Sequence, residues 1–147
     1  MSDTKDECVI CNLLSGALAV SMVYRDNSCS AFMDIQPVNS GHVLVVPNRH
    51  TRYLSGLKEE EGAQIFRLAQ RVAAALRSGV VRCEGINFFL ADGEAAGQEV
   101  FHVHLHVFPR YVGDGFRLVL PPTYSDRPVR QELDALAEKI RSTMAGE

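Results

Sequence analysis

The chain has 147 residues, of which 46% are hydrophobic and 22% charged, and its formal net charge at pH 7 is −3. These values predict one globular domain with a substantial core, and they exclude the basic footprint that binding to nucleic acid or to an anionic membrane requires. The N-terminal segment MSDTKDEC lacks the apolar region of a secretory signal, and no apolar run approaches the ~18 residues of a membrane span, so we expect a cytoplasmic protein.

The first chemical pattern along the chain is CVIC, in which Cys8 and Cys11 have the spacing of two thiolates that bind one zinc ion. A tetrahedral site needs two further ligands, and His50, just past a predicted strand, is a candidate. Two alternatives remain open: a pair of buried core cysteines, and a redox dithiol, although a redox motif normally follows a strand and none precedes Cys8. The other two cysteines stand alone in apolar runs and are expected in the core (Cys29 and Cys83).

Apolar periodicity then divides the chain into short strands and one long helix. Turn residues within MVYRDNSCSAFMDI predict a pair of strands over 22–35, and the β-branched run HVLVVP predicts a strand over 42–47. Over 58–77 the apolar residues recur at helical spacing, which predicts one long helix. INFFLA predicts another strand over 86–91, and a Gly-rich loop over 92–98 leads out of it.

The next stretch, VFHVHLHVFPR over 100–110, alternates apolar residues with three histidines. It predicts a strand with one apolar face and one imidazole face. A helix with a single apolar face follows near Pro128. Strands before and after a long helix, with short connections, predict an α+β domain around an antiparallel sheet. We expect helices on one face of that sheet only, which leaves the other face for a functional site.

Three interpretations of the histidine stretch are open on the residues alone. A polar face of hydrogen-bonded imidazoles is disfavoured, because histidine is not a common strand residue. The second interpretation is a catalytic metal site, and the third is nucleophilic catalysis in which one imidazole attacks an electrophilic phosphorus or carbon. The preceding loop favours phosphate chemistry, because Gly93 and Gly97 let backbone N–H groups approach an anion and Gln98 adds a side-chain donor.

HVHLHVF resembles the histidine-triad (HIT) motif, in which three histidines alternate with apolar residues. AGQEVFHVHLHVFPR is similar to the loop and triad of that superfamily, and FMDIQPVNSGHVLVVPNRH to its Asp-bearing strand and the strand that follows. CVICNLLSG is similar to the N-terminal segment of its zinc-containing bacterial members. The resemblance covers about residues 8–112 of a single HIT domain over 1–147, with 113–147 as a variable extension that carries a helix.

The resemblance implies a HIT-like fold with a five-stranded antiparallel sheet, one long helix and a C-terminal helix, in a homodimer whose sheets join. It also implies a nucleotide hydrolase or transferase that releases a nucleoside monophosphate, AMP above all, from a dinucleoside polyphosphate or nucleoside phosphoramidate. A nucleotidyl-histidine is the implied intermediate. His104 matches the nucleophile, His106 a residue that helps to protonate the leaving group, and Gln98 a donor to the phosphoryl oxygens. One structural zinc per chain is implied at four matching positions: Cys8, Cys11, His50 and His102.

Asp34 matches the position that hydrogen-bonds the ribose hydroxyls, and Gly97 lies in the phosphate-binding loop. His42 is either a site residue or a structural histidine. Many relatives carry Asn or Gln where Ala91 stands, and Glu99 replaces a small hydroxyl residue, so that a negative charge lies near an anionic ligand. Four apolar residues match the positions that enclose the base, although ordinary core packing is an alternative for each: Val9, Leu13, Phe32 and Ile35.

Two rival functions stay open beside this one. The chain could be a nucleotide-binding regulatory or adaptor protein with incidental catalysis, which slow turnover and tight mononucleotide binding would indicate. It could also be a metal-dependent hydrolase that uses the three histidines as ligands, although the Gly-rich loop, CVIC and His50 argue against that reading. In every case we expect a nucleotide ligand, and neither a nucleic acid nor a membrane as partner.

Overall fold

The structure is a computed structural model that describes residues 4–146. The chain divides into two compact units, which comprise residues 4–115 and 116–146 of the described part. The boundary between them lies close to residue 113, where the variable extension is predicted to begin. Among the helices of residues 4–146, none combines the length and the apolar character that crossing a bilayer requires.

The first unit is built on one five-stranded sheet, which confirms the predicted α+β architecture. The strand order is β1-β2-β3-β5-β4, and every neighbouring pair is antiparallel. β4 therefore lies at one edge of the sheet and β5 lies inside it. The strands have the following bounds: β1 Met22–Arg25, β2 Cys29–Met33, β3 Val43–Pro47, β4 Gly85–Phe89 and β5 Leu105–Arg110.

Residues 4–146 contain three α-helices: α1 (Val9–Ser15), α2 (Glu59–Ala75) and α3 (Arg130–Met144). α2 is the predicted long helix, and a π-helical turn over Leu76–Val80 extends it to the position where Gly79 adopts a φ of 100°. α3 belongs to the second unit and is the predicted C-terminal helix. Its apolar side chains are all exposed: Leu133, Leu136, Ile140 and Met144.

α2 covers one face of the sheet with the apolar stripe that its sequence predicts. This stripe forms one buried cluster with inward-facing residues of β3 and β5, and each large side chain buried there contributes about 1.5–3 kcal/mol to folding. Glu61 caps the N-terminus of the helix, because its Oε2 accepts a hydrogen bond of 2.9 Å from the Lys58 N–H. The same oxygen forms an ion pair of 2.6 Å with Arg49. The buried members of the cluster from these elements are Ile65, Leu68, Ala69, Val72, Val43, Val45, Leu105 and Val107.

α1 covers part of the opposite face, so the prediction that helices lie on one face only is wrong. Ile10 and Leu14 of α1 pack against Phe32 of β2 and Val46 of β3. The physical reason is that successive residues of β2 and β3 are buried along nearly their whole length, and strands buried on both sides need cover on both sides. The part of this face that α1 leaves open is the floor of a pocket.

The histidine stretch is a regular strand only in its second half, so the strand predicted over 100–110 is too long. β5 begins at Leu105, and both His102 and His104 precede it. The His104 Nδ1–H donates a hydrogen bond of 2.7 Å to the His102 carbonyl, and the Val103 N–H donates one of 2.8 Å to the Thr51 carbonyl. These two bonds occupy groups that a continuous strand would pair with its neighbours.

Within β5 the predicted alternation of faces is confirmed. Leu105 and Val107 join the cluster that α2 covers. His106 lies between them in sequence and stands opposite Leu44 in the register with β3. Because successive strand residues point to opposite sides, His106 lies on the face that carries α1. The sheet thus separates an aliphatic side from a side that carries imidazoles.

Candidate active site and metal centre

Two thiols and two imidazoles converge at the start of α1. The ligand atoms of Cys8, Cys11, His50 and His102 all lie within 4.8 Å of one another. The His102 Nδ1 is 3.5 Å from the sulfur of each cysteine, and the His50 Nδ1 is 3.4 Å from the Cys11 Sγ. In a tetrahedral zinc site, bonds of about 2.3 Å to sulfur and about 2.0 Å to nitrogen separate the two atoms by about 3.5 Å. The four residues fit a zinc ion.

Local structure holds each of these donors in place. Cys8 is the N-cap of α1, and its Sγ accepts a hydrogen bond of 3.4 Å from the Cys11 N–H one turn later. The His102 Nε2–H donates to the Pro47 carbonyl at 2.8 Å, so the lone pair of Nδ1 faces the two thiols. His50 follows the end of β3, and its Nε2 is buried without a hydrogen-bond partner in the described part of the chain.

The protonation of this cluster also suits a divalent cation. Burial lowers the pKa of His102 to about 4, so its ring is neutral and can act as a ligand at physiological pH. Burial and the adjacent Cys8 thiol raise the pKa of Cys11 to about 11. Cys11 is therefore protonated when no cation is near, and a bound Zn²⁺ would reverse that preference because metals bind the thiolate.

A cavity of about 700 Å³ lies on the open part of the same sheet face. Its volume is in the range of pockets that hold small organic ligands. The predicted nucleoside contacts all line it, together with Gly97, His104 and His106. The apolar part of the lining comes from α1, from residues 18–20 and from the central strands: Val9, Ile10, Leu13, Leu18, Ala19, Val20, Phe32, Met33 and Leu44, with the exposed Ile35 at the end of β2.

His104 presents a lone pair to this pocket. Its Nδ1 is 2.7 Å from the His102 carbonyl oxygen, which can only accept a hydrogen bond. Nδ1 therefore carries the proton and Nε2 carries the lone pair in the neutral ring. The residue is 9% exposed, and the exposed part belongs to the pocket. The geometry is that of a fixed, nucleophilic imidazole nitrogen.

His106 presents the opposite group, a ring N–H. The Val38 N–H donates to His42 Nδ1 at 3.0 Å, so the His42 proton resides on Nε2. His42 Nε2 is 2.9 Å from His106 Nδ1, which is consequently the acceptor, and the proton of neutral His106 resides on Nε2. From the sequence, His42 could be either a site residue or a structural histidine. The structure places it in contact with His106.

Asp34 stands beside this pair of rings. Its Oδ2 is 3.5 Å from His42 Nε2 and 3.9 Å from His106 Nδ1, and its Oδ1 accepts a hydrogen bond of 2.8 Å from the Gln36 N–H. Burial lowers the pKa of both histidines, that of His106 to about 4, and the neighbouring His104 and His42 rings add to the effect on His106. Both rings are therefore neutral at pH 7 in the empty pocket.

By composition Asp34, His42 and His106 form a second group that could hold a metal ion. The hydrogen bonds argue against it. A metal at His42 Nε2 needs a lone pair there, but the Val38 N–H already occupies the lone pair of Nδ1 and forces the proton onto Nε2. His102 has the reverse arrangement, because its Nε2 carries the proton and its Nδ1 keeps a lone pair that a metal could use. Of the two groups, the first therefore suits a metal ion and the second forms a chain of hydrogen bonds.

The structure gives Gln98 a different task from the one predicted. Its Oε1 accepts a hydrogen bond of 2.8 Å from the Gly93 N–H, and its Nε2 donates to the carbonyls of Arg52 at 2.8 Å and Val100 at 3.1 Å. Both amide hydrogens are thus used inside the protein, and the side chain does not line the pocket. Gln98 holds the Gly-rich loop in shape, and Gly97, with a φ of 91°, brings the backbone to the pocket wall.

Several groups that build the site left no signal in the sequence. The Val38 N–H and the carbonyls of Pro47 and His102 fix the imidazole tautomers, but a backbone group carries no residue-specific pattern. Residues 18–21 line the pocket without forming any recognisable motif. The proximity of His42 to the triad could have been found from its place at the start of β3, which pairs with β5.

Comparison with known proteins finds the same fold, and one of the matched structures is zinc-bound. The HIT domain profile matches residues 17–113. The crystal structure of a HIT family protein from Bacillus anthracis is 34% identical and has a TM-score of 0.87, covering 95% of this chain and 99% of that chain. A zinc-bound histidine triad family protein from Mycobacterium smegmatis is also 34% identical, with a TM-score of 0.73 and the same two coverages.

A further relative carries the name of an enzyme. Adenylylsulfatase HINT3 from Arabidopsis thaliana is 29% identical to this chain over 112 residues. The match covers 74% of this chain and 55% of that protein.

Proposed function

Because this chain belongs to the HIT-domain family, we propose that it hydrolyses or transfers nucleotides through a covalent nucleotidyl-histidine on His104. The family and its adenylylsulfatase relative support a nucleotide hydrolase or transferase in general. The specific proposal is release of a nucleoside monophosphate, AMP above all, from a phosphoramidate or a dinucleoside polyphosphate. The observation that carries it is the tautomer of His104, whose Nδ1–H is held by a backbone carbonyl and whose Nε2 lone pair is directed away from that bond.

The pocket lining supports a nucleoside as the bound part of the substrate. The apolar wall formed by α1 and β2 suits a flat base, with the buried Phe32 as its floor. The Asp34 carboxylate suits the ribose hydroxyls, because it can accept hydrogen bonds from two neighbouring donors. A base and ribose held in this way bring the attached phosphorus toward His104.

In the first step, His104 Nε2 attacks phosphorus and forms a P–N bond while the bond from phosphorus to the leaving atom breaks. The electron pair of that bond goes to the leaving atom, which takes a proton through the His106 Nε2–H; solvent returns the proton to His106. The substrate phosphate and Asp34, 3.9 Å from His106 Nδ1, favour the doubly protonated, cationic ring of His106, which becomes neutral when it gives up the Nε2–H.

In the second step, water attacks the phosphorus of the adduct. The new P–O bond forms as the P–Nε2 bond breaks, and the electron pair returns to His104 as its lone pair. The proton of the attacking water leaves toward solvent through His106. A nucleophilic acceptor in place of water would turn hydrolysis into nucleotidyl transfer.

One zinc ion per chain fits the cluster of Cys8, Cys11, His50 and His102, and when bound it would supply a structural cross-link with no open coordination position. This cross-link joins the start of α1 to the segment that ends in His104. α1 forms part of the base pocket, so the cluster stabilises two walls of the site at once.

We also propose that the protein is a homodimer in which two sheets join. β4 is an edge strand, which within residues 4–146 pairs only with β5, and Phe88 and Phe89 on it are 41% and 42% exposed. Joining two such edges satisfies their backbone groups and covers the two rings. Sedimentation of the protein at the mass of one chain, across micromolar concentrations, would contradict this assembly.

A panel of adenylated and guanylated phosphoramidates and dinucleoside polyphosphates tests the proposed activity. The expected result is stoichiometric release of the nucleoside monophosphate, and an acid-labile nucleotide adduct on the protein when turnover is quenched. Tight binding of AMP without release from any member of the panel would favour a regulatory nucleotide-binding protein instead.

A further inference from the structure

The charged side chains that line the pocket are negative. Asp34 and Glu99 line it, and among the lining residues in the described part of the chain there is no lysine or arginine. A polyphosphate carries several negative charges, which proteins neutralise with Arg, Lys or Mg²⁺. The two imidazoles nearby, His104 and His106, are occupied with the phosphorus and the leaving atom. The pocket therefore offers no side chain to neutralise an anionic leaving group.

Glu99 lines the same pocket as His104 and His106, and its neighbour in sequence fixes its backbone. Gln98 is 4% exposed and makes three hydrogen bonds inside the protein, which fix the backbone immediately before Glu99. The Glu99 side chain is exposed, and over residues 4–146 it forms no ion pair.

The two carboxylates come from different segments of the chain. Asp34 follows β2, which also supplies Phe32 to the lining, and its Oδ2 is 3.9 Å from His106 Nδ1. Glu99 belongs to the loop segment 97–100, which runs into the residues that carry His104. A nucleoside bound at the apolar part has its phosphorus at His104, and the leaving group is the portion of the substrate that the apolar wall does not hold.

From this arrangement we propose that Glu99 is a specificity-determining residue, which disfavours anionic leaving groups and favours leaving groups that carry a positive charge. The inference rests on the proposed function and narrows its substrate class. Nucleoside phosphoramidates of amines with a second, cationic group are preferred, and dinucleoside polyphosphates are poor substrates. The effect is electrostatic and acts across solvent, so a change from a cationic to an anionic leaving group is expected to cost about tenfold in kcat/KM, and less at high salt.

Three adenosine phosphoramidates with alkylamine leaving groups of matched length test this. Their far ends carry an ammonium, a methyl or a carboxylate group, so the bond that breaks is the same in all three. kcat/KM is measured for the wild type, for Glu99→Gln and for the matched control Glu94→Gln. Glu94 is an exposed carboxylate on the same loop, within the short helical turn Glu94–Ala96, and it does not line the pocket.

We expect the wild type to prefer the ammonium conjugate to the carboxylate conjugate by about tenfold. Glu99→Gln reduces this ratio to within about twofold of unity and leaves the neutral conjugate nearly unchanged, because the substitution removes charge but keeps shape. Glu94→Gln keeps the wild-type ratio. The proposal is overturned if Glu99→Gln keeps that ratio, or if it changes all three substrates equally, since Glu99 would then act on the transferred phosphoryl group.

Binding measurements test the charge selectivity of Glu99 independently of the proposed reaction. The dissociation constants of the same three conjugates are measured by calorimetry with His104→Ala and with His104→Ala combined with Glu99→Gln. A charge preference that disappears with Glu99 supports the selectivity even if no conjugate is hydrolysed. An identical preference in both variants overturns it. Failure of the wild-type protein to release AMP from any of the three contradicts the proposed reaction and leaves the binding result to decide the role of Glu99.

Discussion

The metal cluster around His102 and the pocket around His104 and His106 use the same residue type within one short stretch of chain, yet the hydrogen bonds to the rings differ. In the cluster, the Pro47 carbonyl takes the Nε2–H of His102 and leaves the Nδ1 lone pair for a metal. In the pocket, the Val38 N–H takes the lone pair of His42 Nδ1 and makes the other nitrogen a donor. The backbone partner of a ring, and not the ring itself, decides between ligation and proton transfer.

The first way to test this contrast is to remove the nucleophile. His104→Ala is expected to lower turnover by at least about 10³-fold, because the covalent route needs the Nε2 lone pair. Nucleotide affinity should change little, because Asp34 and the apolar wall remain. His106→Ala should cost less, because solvent can supply the proton. Steady-state rates and calorimetric affinities measure both effects.

An active His104→Ala protein, together with no adduct on the wild type after acid quenching, would show that the pocket works by another mechanism. Loss of binding and turnover together has to be separated from misfolding. Circular dichroism and the zinc content of the variant provide that control, since the metal cluster lies outside the substituted side chain.

The second prediction concerns the cluster of Cys8, Cys11, His50 and His102. Purified protein should contain one zinc per chain, bound by two sulfurs and two nitrogens. Cys8→Ala combined with Cys11→Ala should lower the melting temperature by about 10 °C or more, because a closed zinc site contributes folding free energy directly. The fraction that remains folded should keep most of its catalytic rate. Cys83→Ala, outside the cluster, should keep the metal and most of the stability.

X-ray absorption decides the ligand set. A spectrum with three imidazole nitrogens and no sulfur would place the metal among the pocket histidines instead. Rates measured before and after chelation give an independent reading, since a structural ion affects the melting temperature more than the chemical step.

The third prediction follows from the lowered pKa of His106, which is about 4 in the folded protein and 6.5 in an exposed histidine. The unfolded chain takes up this proton near pH 6.5, whereas the folded protein does so only near pH 4. The contribution to stability is therefore complete above pH 6.5 and is lost as the pH falls toward 4, with a loss of about 1–2 kcal/mol between pH 7 and 5.

Urea unfolding at several pH values measures that loss. His106→Asn removes the titrating ring, so its unfolding free energy should fall less steeply over the same range than that of the wild type. Zinc content is determined at each pH, because acid also displaces metal from thiolates. Equal slopes for the two proteins would mean that the His106 ring is not kept neutral by the fold.

The smallest expected effect concerns Asp34. Asp34→Ala should weaken nucleoside monophosphate binding by about five- to tenfold, the usual value of hydrogen bonds to a charged acceptor, with a smaller effect on turnover. The sharper comparison uses a nucleotide without ribose hydroxyls, for which wild type and variant should bind equally. A loss of affinity that persists with the dideoxy nucleotide would assign Asp34 to the His42–His106 pair alone.

The sequence predicted those parts of the molecule that depend on side-chain patterns. Periodicity located α2 and its buried stripe, and it located the five short strands approximately. Motif resemblance brought together four residues that the structure places within one cluster: Cys8, Cys11, His50 and His102. Their coming together could not be derived from spacing, since they are separated by up to 94 positions along the chain.

The parts that sequence analysis misjudged depend on backbone groups. The strand over 100–110 was predicted too long. The His102 carbonyl is bonded to the His104 side chain and the Val103 N–H to the Thr51 carbonyl, so these backbone groups do not pair with a neighbouring strand. Gln98 was assigned to the phosphate because its type is a donor, whereas its hydrogens are spent on two backbone carbonyls. The hydrogen bonds from the Val38 N–H to His42 and from His42 to His106 join residues that only the folded sheet brings together, so the sequence gives no sign of them.

The bond from His104 to the His102 carbonyl has an evolutionary consequence. The acceptor is a main-chain oxygen, which every amino acid at position 102 would supply. Replacement of His102 would remove one of the four candidate metal ligands but keep the same tautomer of His104. The candidate metal site and the proposed nucleophile can therefore change independently during evolution, although both depend on residue 102.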